Sequence, residues 1–152
     1  MLNSPVNPDC IDWSLHYPAF FGIKDNHKNQ LYVNTHKHPI SYLTPEQVVS
    51  RGTEESKTGH LAPTIVDIGC GYGGLMFELQ KEFPDHLILG MEIRDVVANF
   101  VAQKINSIRV NTGFKECVNV GVVKTNTMKT IHNYFKKGSV SRLTHSLCAS
   151  IA

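Results

Sequence analysis

The chain has 152 residues, of which 41% are hydrophobic and 18% are charged, and its formal net charge is +2. This composition predicts one domain with a hydrophobic core. No apolar run approaches the ~20 residues that span a bilayer, and the first ten residues lack the pattern of a signal peptide. Length and composition therefore argue against a membrane or secreted protein, and we expect a cytosolic or nuclear one.

The charges are unevenly distributed along the chain. Residues 1–95 contain 7 Lys and Arg against 12 Asp and Glu, whereas residues 96–152 contain 8 Lys and Arg against one acid, Glu116. Such asymmetry favours a polyanionic partner for the later part, the alternative being a solvated basic face.

The cysteines and histidines form no metal-binding motif. The four cysteines are far apart and include no CxxC pair, so free thiols in a reducing compartment are expected. His36 and His38 lie close together, but two histidines without a third ligand make a weak metal site, and solvated loop histidines are the better interpretation.

The first 60 residues divide into two parts. Residues 1–23 contain the aromatic block DWSLHYPAFF, which is too apolar for a free tail and predicts an N-terminal arm packed on the domain. Residues 24–60 are polar and unperiodic, which predicts a variable loop or a disordered insert.

Regular elements begin after residue 60. Short apolar runs predict strands at 64–68, 87–93 and 118–125, and apolar residues at helical spacing predict a helix after each strand. In the first helix, Leu75, Met76, Leu79 and Phe83 recur at helical spacing. One face of the second is marked by Val97, Val101, Ile105 and Ile108, and the predicted inner face of the third is Met128, Ile131 and Phe135. This alternation predicts an α/β fold, the first half of a doubly wound parallel sheet with crossover helices.

A glycine cluster follows the first predicted strand. In IVDIGCGYGG, the residues Gly69, Gly71 and Gly74 satisfy the spacing GxGxxG between a strand and a helix, which predicts a ligand at the carboxyl ends of the strands. The alternative is a tight turn without a ligand. Glu92 ends the second strand, 23 residues after Gly69, where a carboxylate can accept hydrogen bonds from ribose hydroxyls; a surface glutamate is the alternative.

Asp67 helps to separate the two cofactors that use this layout. A dinucleotide places its pyrophosphate at the helix N-terminus, and a nearby carboxylate would repel it. S-adenosylmethionine carries a sulfonium and an ammonium group and no phosphate, so an acid near the turn suits it better. The alternative role of Asp67 is to cap the following turn.

Four stretches together resemble the eukaryotic-type tRNA (guanine-N7-)-methyltransferases. They are PVNPDCIDWSLHYPAFF, DIGCGYGG, FPDHLILGMEIR and NTMKTIHNYFKKG. The resemblance covers residues 5–21 and 63–142 and leaves 24–60 unmatched. It implies a Rossmann-like class I methyltransferase fold, of which three parallel strands with their crossover helices, the first half, are expected here within residues 61–142.

The resemblance also implies a reaction and a cofactor site. The family transfers a methyl group from S-adenosylmethionine to N7 of a variable-loop guanine in tRNA, a displacement that depends mainly on positioning because N7 has a free lone pair. The implied cofactor-binding residues are Gly69, Glu92, Ile93, Arg94, Asn126 and Thr127. The family usually has alanine where Thr127 stands.

Partners and location are implied in the same way. The family's catalytic subunit acts on tRNA and forms a heterodimer with a non-catalytic WD-repeat β-propeller subunit, in the nucleus and also in the cytoplasm. Lys129, His132 and Lys136 lie on the predicted outer side of the third helix, where they could contact tRNA or the partner subunit.

The resemblance ends near Leu143. The family continues with a Phe-Pro-Asp-Pro-His motif that holds its catalytic aspartate, whereas residues 143–152 form an unmatched tail, so no catalytic residue is assigned and a truncated chain is expected. The strand at 64–68 would then lack a neighbour on one side and favour aggregation. One alternative is an inactive isoform that binds S-adenosylmethionine or the WD-repeat partner; another is a nicotinamide-dependent oxidoreductase.

Overall fold

The computed structural model describes residues 3–23, 30–51 and 61–145. The helices are α1 (Pro45–Arg51), α2 (Gly74–Glu82), α3 (Asp95–Asn111) and α4 (Thr127–Tyr134). The strands are β1 (Ile65–Ile68), β2 (Ile88–Glu92), β3 (Val120–Lys124) and β4 (Arg142–His145). Within the described ranges, none of the helices is both long and apolar enough to cross a membrane.

All four strands are parallel and lie in the order β3-β2-β1-β4. The three strands predicted from residue 64 onward and the helix after each of them are present, which confirms the α/β fold class. Every residue of β2 is buried, as expected for a central parallel strand that is covered on both faces and therefore shows no alternation of apolar and polar residues.

The sheet separates two hydrophobic clusters. On one face, α2 and α3 pack through Met76, Leu79, Val101 and Ile105 onto alternate residues of the strands. On the other face, Val66, Leu89, Met91 and Val123 contact the N-terminal arm and the end of α4. Neighbouring residues of one strand, such as Ile65 and Val66, thus belong to opposite clusters, because side chains alternate along a strand.

The N-terminal arm lies against the second face of the sheet. Two short 3₁₀ turns, Pro8–Cys10 and Trp13–Leu15, lead into Tyr17, which is completely buried. The Tyr17 hydroxyl donates a hydrogen bond of 2.8 Å to the carbonyl of Ile88, and the Trp13 ring stacks on Phe135. The aromatic block is therefore part of the domain's core.

Part of the segment 24–60 packs on the same domain. In the described range 30–51, Val33 and Ile40 are buried, one in each cluster, and the amide of Lys124 donates to the carbonyl of Val33 at 2.6 Å. The segment contains few apolar residues and they follow no helical or strand periodicity, so the sequence did not indicate this packing. The rest of the predicted loop or insert, at 24–29 and 52–60, lies outside the described residues.

A fourth strand pairs with β1 on the side away from β2. Val66 and Asp67 of β1 are in register with Leu143 and Thr144 of β4. The expectation that the first strand lacks a neighbour on one side is therefore wrong. The sequence did not predict β4 because the strand is short and lacks a buried apolar pattern. Thr144 is half-buried, and the other residues are exposed, with 59% of Leu143 accessible. Residues 143–145 of the expected tail belong to this strand, and the tail beyond 145 lies outside the described residues.

The inner face predicted for α4 is wrong at Met128. This side chain is 93% exposed, whereas Ile131 and Tyr134 contact the cluster beneath the helix. The prediction used Phe135 as a helical position, but Phe135 has extended backbone angles and follows the helix end. Tyr134 follows Met128 by six residues, and at roughly 100° per residue this places the two side chains on different sides of the helix, with Ile131 between them.

Candidate functional site

The glycine turn follows β1 at the carboxyl edge of the sheet. Gly69, Gly71 and Gly73 have φ angles of 67°, 53° and 81°, which are readily adopted only by glycine. The amide of Gly69 donates to the carbonyl of Met91 at 2.7 Å, so the turn is fixed to the end of β2. An added Cβ on Gly71 would meet nothing within 4 Å, so there is open space beside the turn at this residue.

Glu92 ends β2 directly beside this turn. The residue is only 3% exposed, yet its carboxylate is well satisfied: Oε2 accepts from the amide of Gly71 at 3.1 Å, and Oε1 accepts from the amide of Arg94 at 2.9 Å. The carboxylate therefore connects the glycine turn to the start of α3. A surface glutamate is excluded by this burial.

The guanidinium of Arg94 completes the environment of Glu92. Its Nε donates to Oε1 at 3.1 Å and its Nη2 donates to Oε2 at 3.2 Å. Burial alone raises the pKa of Glu92, but the hydrogen bonds and charge of Arg94, together with the Gly71 amide, outweigh it and lower the pKa below its usual range. Glu92 is thus an ionised, oriented acceptor at neutral pH.

Asn126 and Thr127 are brought to the same edge by the backbone. The amide of Thr125 donates to the carbonyl of Glu92 at 2.9 Å, which places the start of α4 beside the end of β2. Asn126 is the N-cap residue of α4, but its side chain makes no capping hydrogen bond. Thr127 begins the helix and is half-buried.

The six predicted cofactor-binding residues therefore share one edge of the sheet, with different degrees of contact. Hydrogen bonds join Glu92 directly to Arg94 and to the glycine turn. Ile93 lies between Glu92 and Arg94 in the chain and is largely exposed. The side chains of Asn126 and Thr127 form no hydrogen bond with Glu92 in the described part of the chain.

Asp67 is a second buried acid near the turn. It is completely buried in β1, and its Oδ1 accepts a hydrogen bond of 3.0 Å from the hydroxyl of Thr144. That hydroxyl also lies 3.2 Å from the carbonyl of Val66. Thr144 is not among the predicted site residues, because a single threonine in a four-residue strand gives no signal of its register with β1.

A further contact at the edge joins residues distant in sequence. His36 contacts Asp95, the first residue of α3, through Nδ1 at 3.0 Å and through its backbone amide. The neighbouring Thr35 hydroxyl donates to Oδ1 of Asn99 at 2.6 Å. An acid in the first turn of a helix is a recognisable signal, but its partner was not predictable. Within the described ranges, no group of three potential metal ligands occurs.

The basic residues of the α4 region differ in their surroundings. Lys129 and His132 are exposed. Lys136, just beyond the helix, forms an ion pair of 2.7 Å with Asp9 of the N-terminal arm. Lys129 and His132 are therefore the two members of the predicted set that remain available to an external partner.

The chain is similar to curated enzymes across most of its length. It is 36% identical over 146 residues to a tRNA (guanine-N(7)-)-methyltransferase of Kluyveromyces lactis, covering 93% of this chain and 40% of that protein. It is 35% identical over 141 residues to tRNA (guanine-N(7)-)-methyltransferase A of Xenopus tropicalis, covering 91% and 44%. The Arabidopsis thaliana enzyme of the same name is 32% identical over 139 residues, covering 91% and 43%.

The comparison also defines the extent of the match. The chain spans less than half the length of these curated relatives. The sequence model of a family described as "Putative methyltransferase" matches residues 61–146, a range that includes all four strands, the glycine turn and Glu92. Because this match covers more than half of the chain and coincides with the observed parallel sheet, the chain belongs to this methyltransferase family.

Proposed function

We propose that this protein binds S-adenosylmethionine and methylates N7 of a variable-loop guanine in tRNA. The observation that carries the proposal is the buried, ionised carboxylate of Glu92, hydrogen-bonded to the Gly71 amide at the carboxyl edge of a parallel sheet. The names of the curated relatives support the substrate.

The residues at this edge fit S-adenosylmethionine. Glu92 supplies acceptor oxygens for ribose hydroxyls, and the open space beside Gly71 leaves room for a ligand at the turn. Asp67 adds a second acid below the turn, which favours a ligand with positive charge over a pyrophosphate. The side-chain amide of Asn126, which makes no hydrogen bond within the described part of the chain, can both donate to and accept from a base.

Arg94 determines how many lone-pair positions of the Glu92 carboxylate are available to a ligand. An ionised carboxylate has about four lone-pair positions, and Glu92 already accepts from two backbone amides and two guanidinium nitrogens. Ribose hydroxyls can therefore bind Glu92 only if the Arg94 side chain releases part of the carboxylate. The backbone amides of Gly71 and Arg94 would continue to orient it.

The chemistry requires little from acid or base groups. When bound, S-adenosylmethionine would supply an electrophilic methyl group to the free lone pair of guanine N7, and S-adenosylhomocysteine would be the leaving group. The residues of this chain orient the cofactor and favour its positive charge, through Glu92 and Asp67. Such positioning is the main route to acceleration of a displacement between two bound reactants.

The remaining parts of the proposal concern the assembly. Exposed Lys129 and His132 on α4 offer a surface for tRNA phosphates or for a partner subunit. The family resemblance supports a heterodimer with a WD-repeat β-propeller subunit. It also supports a location in the nucleus, with the cytoplasm as a second location.

The test combines cofactor binding with methyl transfer. The full chain, with the WD-repeat subunit, is given unmodified tRNA and labelled S-adenosylmethionine, and cofactor binding is measured separately by calorimetry. We expect label at guanine N7, and we expect Glu92→Gln to weaken cofactor binding at least tenfold. Glu82→Gln is the matched control, because Glu82 is an exposed residue at the end of α2.

Three outcomes would contradict the proposal in different ways. Cofactor binding without methyl transfer would favour the inactive isoform. Binding of a nicotinamide dinucleotide in place of S-adenosylmethionine would favour the oxidoreductase. Equal effects of Glu92→Gln and Glu82→Gln would show that the cofactor binds elsewhere.

A further inference from the structure

A cavity lies beside the outer edge of β3. It has a volume of about 60 Å³ and is lined by the N-terminal arm, residues 30–32, one face of α3 and part of β3. Its lining includes Ser14, His16, Tyr32, Asn106, Arg109 and Val122. None of the predicted cofactor-binding residues lines it, so this cavity is separate from the site at Glu92.

Arg109 brings a buried positive charge to this cavity. It is 8% exposed, and its guanidinium donates to three backbone carbonyls: Nε to Cys117 at 2.9 Å, and Nη2 to His16 at 3.0 Å and to Val120 at 2.7 Å. All three acceptors are neutral. In the described part of the chain, no carboxylate contacts Arg109 and its Nη1 has no acceptor.

This arrangement is unusual for a buried charge. Buried charges are ordinarily paired with an opposite charge because desolvation is costly. Carbonyl groups satisfy some of the N–H donors of Arg109 but leave its full charge uncompensated. A guanidinium that has only neutral acceptors among the described residues and lies on the wall of a cavity is therefore a feature that a bound anion would complete.

His16 adds an unsatisfied group at the same place. It is buried, and its Nδ1 has no hydrogen-bond partner among the described residues. Burial and the neighbouring charge of Arg109 lower the pKa of His16 to about 4. The imidazole is consequently neutral at pH 7, and among the described lining residues Arg109 is the one with a full charge. The carboxylate of Asp12 lies near His16 and accepts from the Ser14 hydroxyl.

We propose that this cavity binds a small oxyanion, a carboxylate or phosphate group, with one oxygen accepting from the guanidinium of Arg109. The planar guanidinium matches the geometry of both groups. A bound water needs about 10–15 Å³ of cavity volume, so the observed volume accommodates a group the size of acetate or phosphate. The Asn106 amide provides a further donor on the wall, whereas the Ser14 hydroxyl already donates to the carboxylate of Asp12.

The competing explanation is that Arg109 only joins α3, the arm and β3 through its three carbonyl acceptors. Removal of Arg109 would not separate the two explanations, since either predicts a large loss of stability. A change of charge on the wall separates them better. Asn106→Asp introduces a repelling carboxylate and leaves every hydrogen bond of Arg109 in place.

The experiment measures anion binding to the full chain at pH 7. Thermal unfolding is followed in sodium phosphate, sodium acetate and sodium chloride at equal ionic strength, and the His16 ring is observed by NMR in the same titrations. We expect phosphate or acetate to raise the Tm above its value in chloride and to shift the His16 resonances. Whichever of the two anions does so identifies the group that the cavity accepts.

The variants then test the location. We expect Asn106→Asp to weaken binding at least tenfold, whereas Asn111→Asp, at the exposed end of the same helix, leaves the affinity unchanged. Equal Tm values in all three salts, with unshifted His16 resonances, would overturn the proposal. A Tm increase without a His16 shift, or equal losses in both variants, would also overturn it by placing the anion elsewhere.

Discussion

Glu92 at the end of β2 and Arg109 near the end of α3 are both buried charges, but the protein stabilises them differently. Glu92 lies at the carboxyl edge and is balanced within the chain by the guanidinium of Arg94 and by two backbone amides. Arg109 lies beside the outer edge of β3 and has only backbone carbonyls. Neutral acceptors satisfy donors but do not cancel a charge.

The difference indicates what each region can accept. At Glu92, a neutral diol that replaces the Arg94 side chain would satisfy the carboxylate oxygens but remove their counter-charge, and the two backbone amides would remain as partners. At Arg109, an incoming anion supplies the missing charge and removes no existing partner. A ligand at Glu92 would thus replace existing hydrogen bonds, whereas an anion at Arg109 would add new ones.

The largest effect is expected from Arg109→Met. This change leaves the carbonyls of Cys117, His16 and Val120 without their donor, and each buried unsatisfied group costs about 1–3 kcal/mol. We expect the free energy of unfolding to fall by about 3–5 kcal/mol, measured by urea denaturation. Lys115→Met, at an exposed cation, is the control, and a loss below about 1 kcal/mol for Arg109→Met would show that these bonds contribute little.

The second effect concerns Glu92→Gln and its pH dependence. Since hydrogen bonds to charged groups contribute about 1.5–3 kcal/mol and the amide keeps some of them, we expect a loss of about 1–2 kcal/mol at pH 7. The pKa of Glu92 is lowered on folding, so the stabilisation is present above the unfolded pKa and is lost as pH falls through the folded pKa.

The stability difference between wild type and Glu92→Gln should therefore shrink from about pH 6 toward about pH 3. Paired urea titrations across this range would measure it. A difference that stays constant with pH would mean that the ionised form of Glu92 is not the one that the fold stabilises.

A smaller effect is expected from Thr144→Val. Valine keeps the shape and strand preference of threonine but removes the hydroxyl that donates to Asp67. A loss of about 1 kcal/mol in the free energy of unfolding is expected for one hydrogen bond. Ser139→Ala, at a hydroxyl that donates to the nearby carbonyl of Lys136, serves as the control; equal values for the two variants would argue against a role of Thr144 in holding Asp67.

The smallest effect is expected from Met128→Gln. Because Met128 is almost fully exposed on α4, the free energy of unfolding should change by less than about 0.5 kcal/mol. Ile131→Gln, one turn later on the face that contacts the core, should cost clearly more. Thermal unfolding of both variants measures the difference. A large loss of stability for Met128→Gln would support the inner face that the sequence predicted.

The sequence predicted three strands of the sheet because each is marked by a short apolar run that can be recognised without knowledge of its neighbours. The runs at Ile65–Ile68, Ile88–Glu92 and Val120–Lys124 are apolar enough to stand out from their surroundings, and the glycine turn marks the end of the first. Predictions failed where the decisive contact was distant. The pairing of β4 with β1, the rotation of α4 and the packing of Val33 all depend on neighbours far along the chain.

In the candidate site, too, the features that depend on nearby residues were predictable and those that depend on distant contacts were not. Spacing alone placed Gly69 and Glu92 at one edge, because parallel strands align their carboxyl ends. The interaction of Arg94 with Glu92, the hydrogen bond of Thr144 to Asp67 and the contact of His36 with Asp95 were not predictable. These depend on side-chain directions that are set only after the elements pack.

The sequence by itself determined the order of strands and helices, the glycine turn and the position of Glu92 at a strand end, since each depends on residues close together in the chain. Only the tertiary structure decided that Glu92 is balanced by Arg94, while Arg109 faces a cavity and contacts no carboxylate of the described residues. The balance of a buried charge depends on every group that packs around it, and those groups come from the arm, α3 and β3, which only folding brings together.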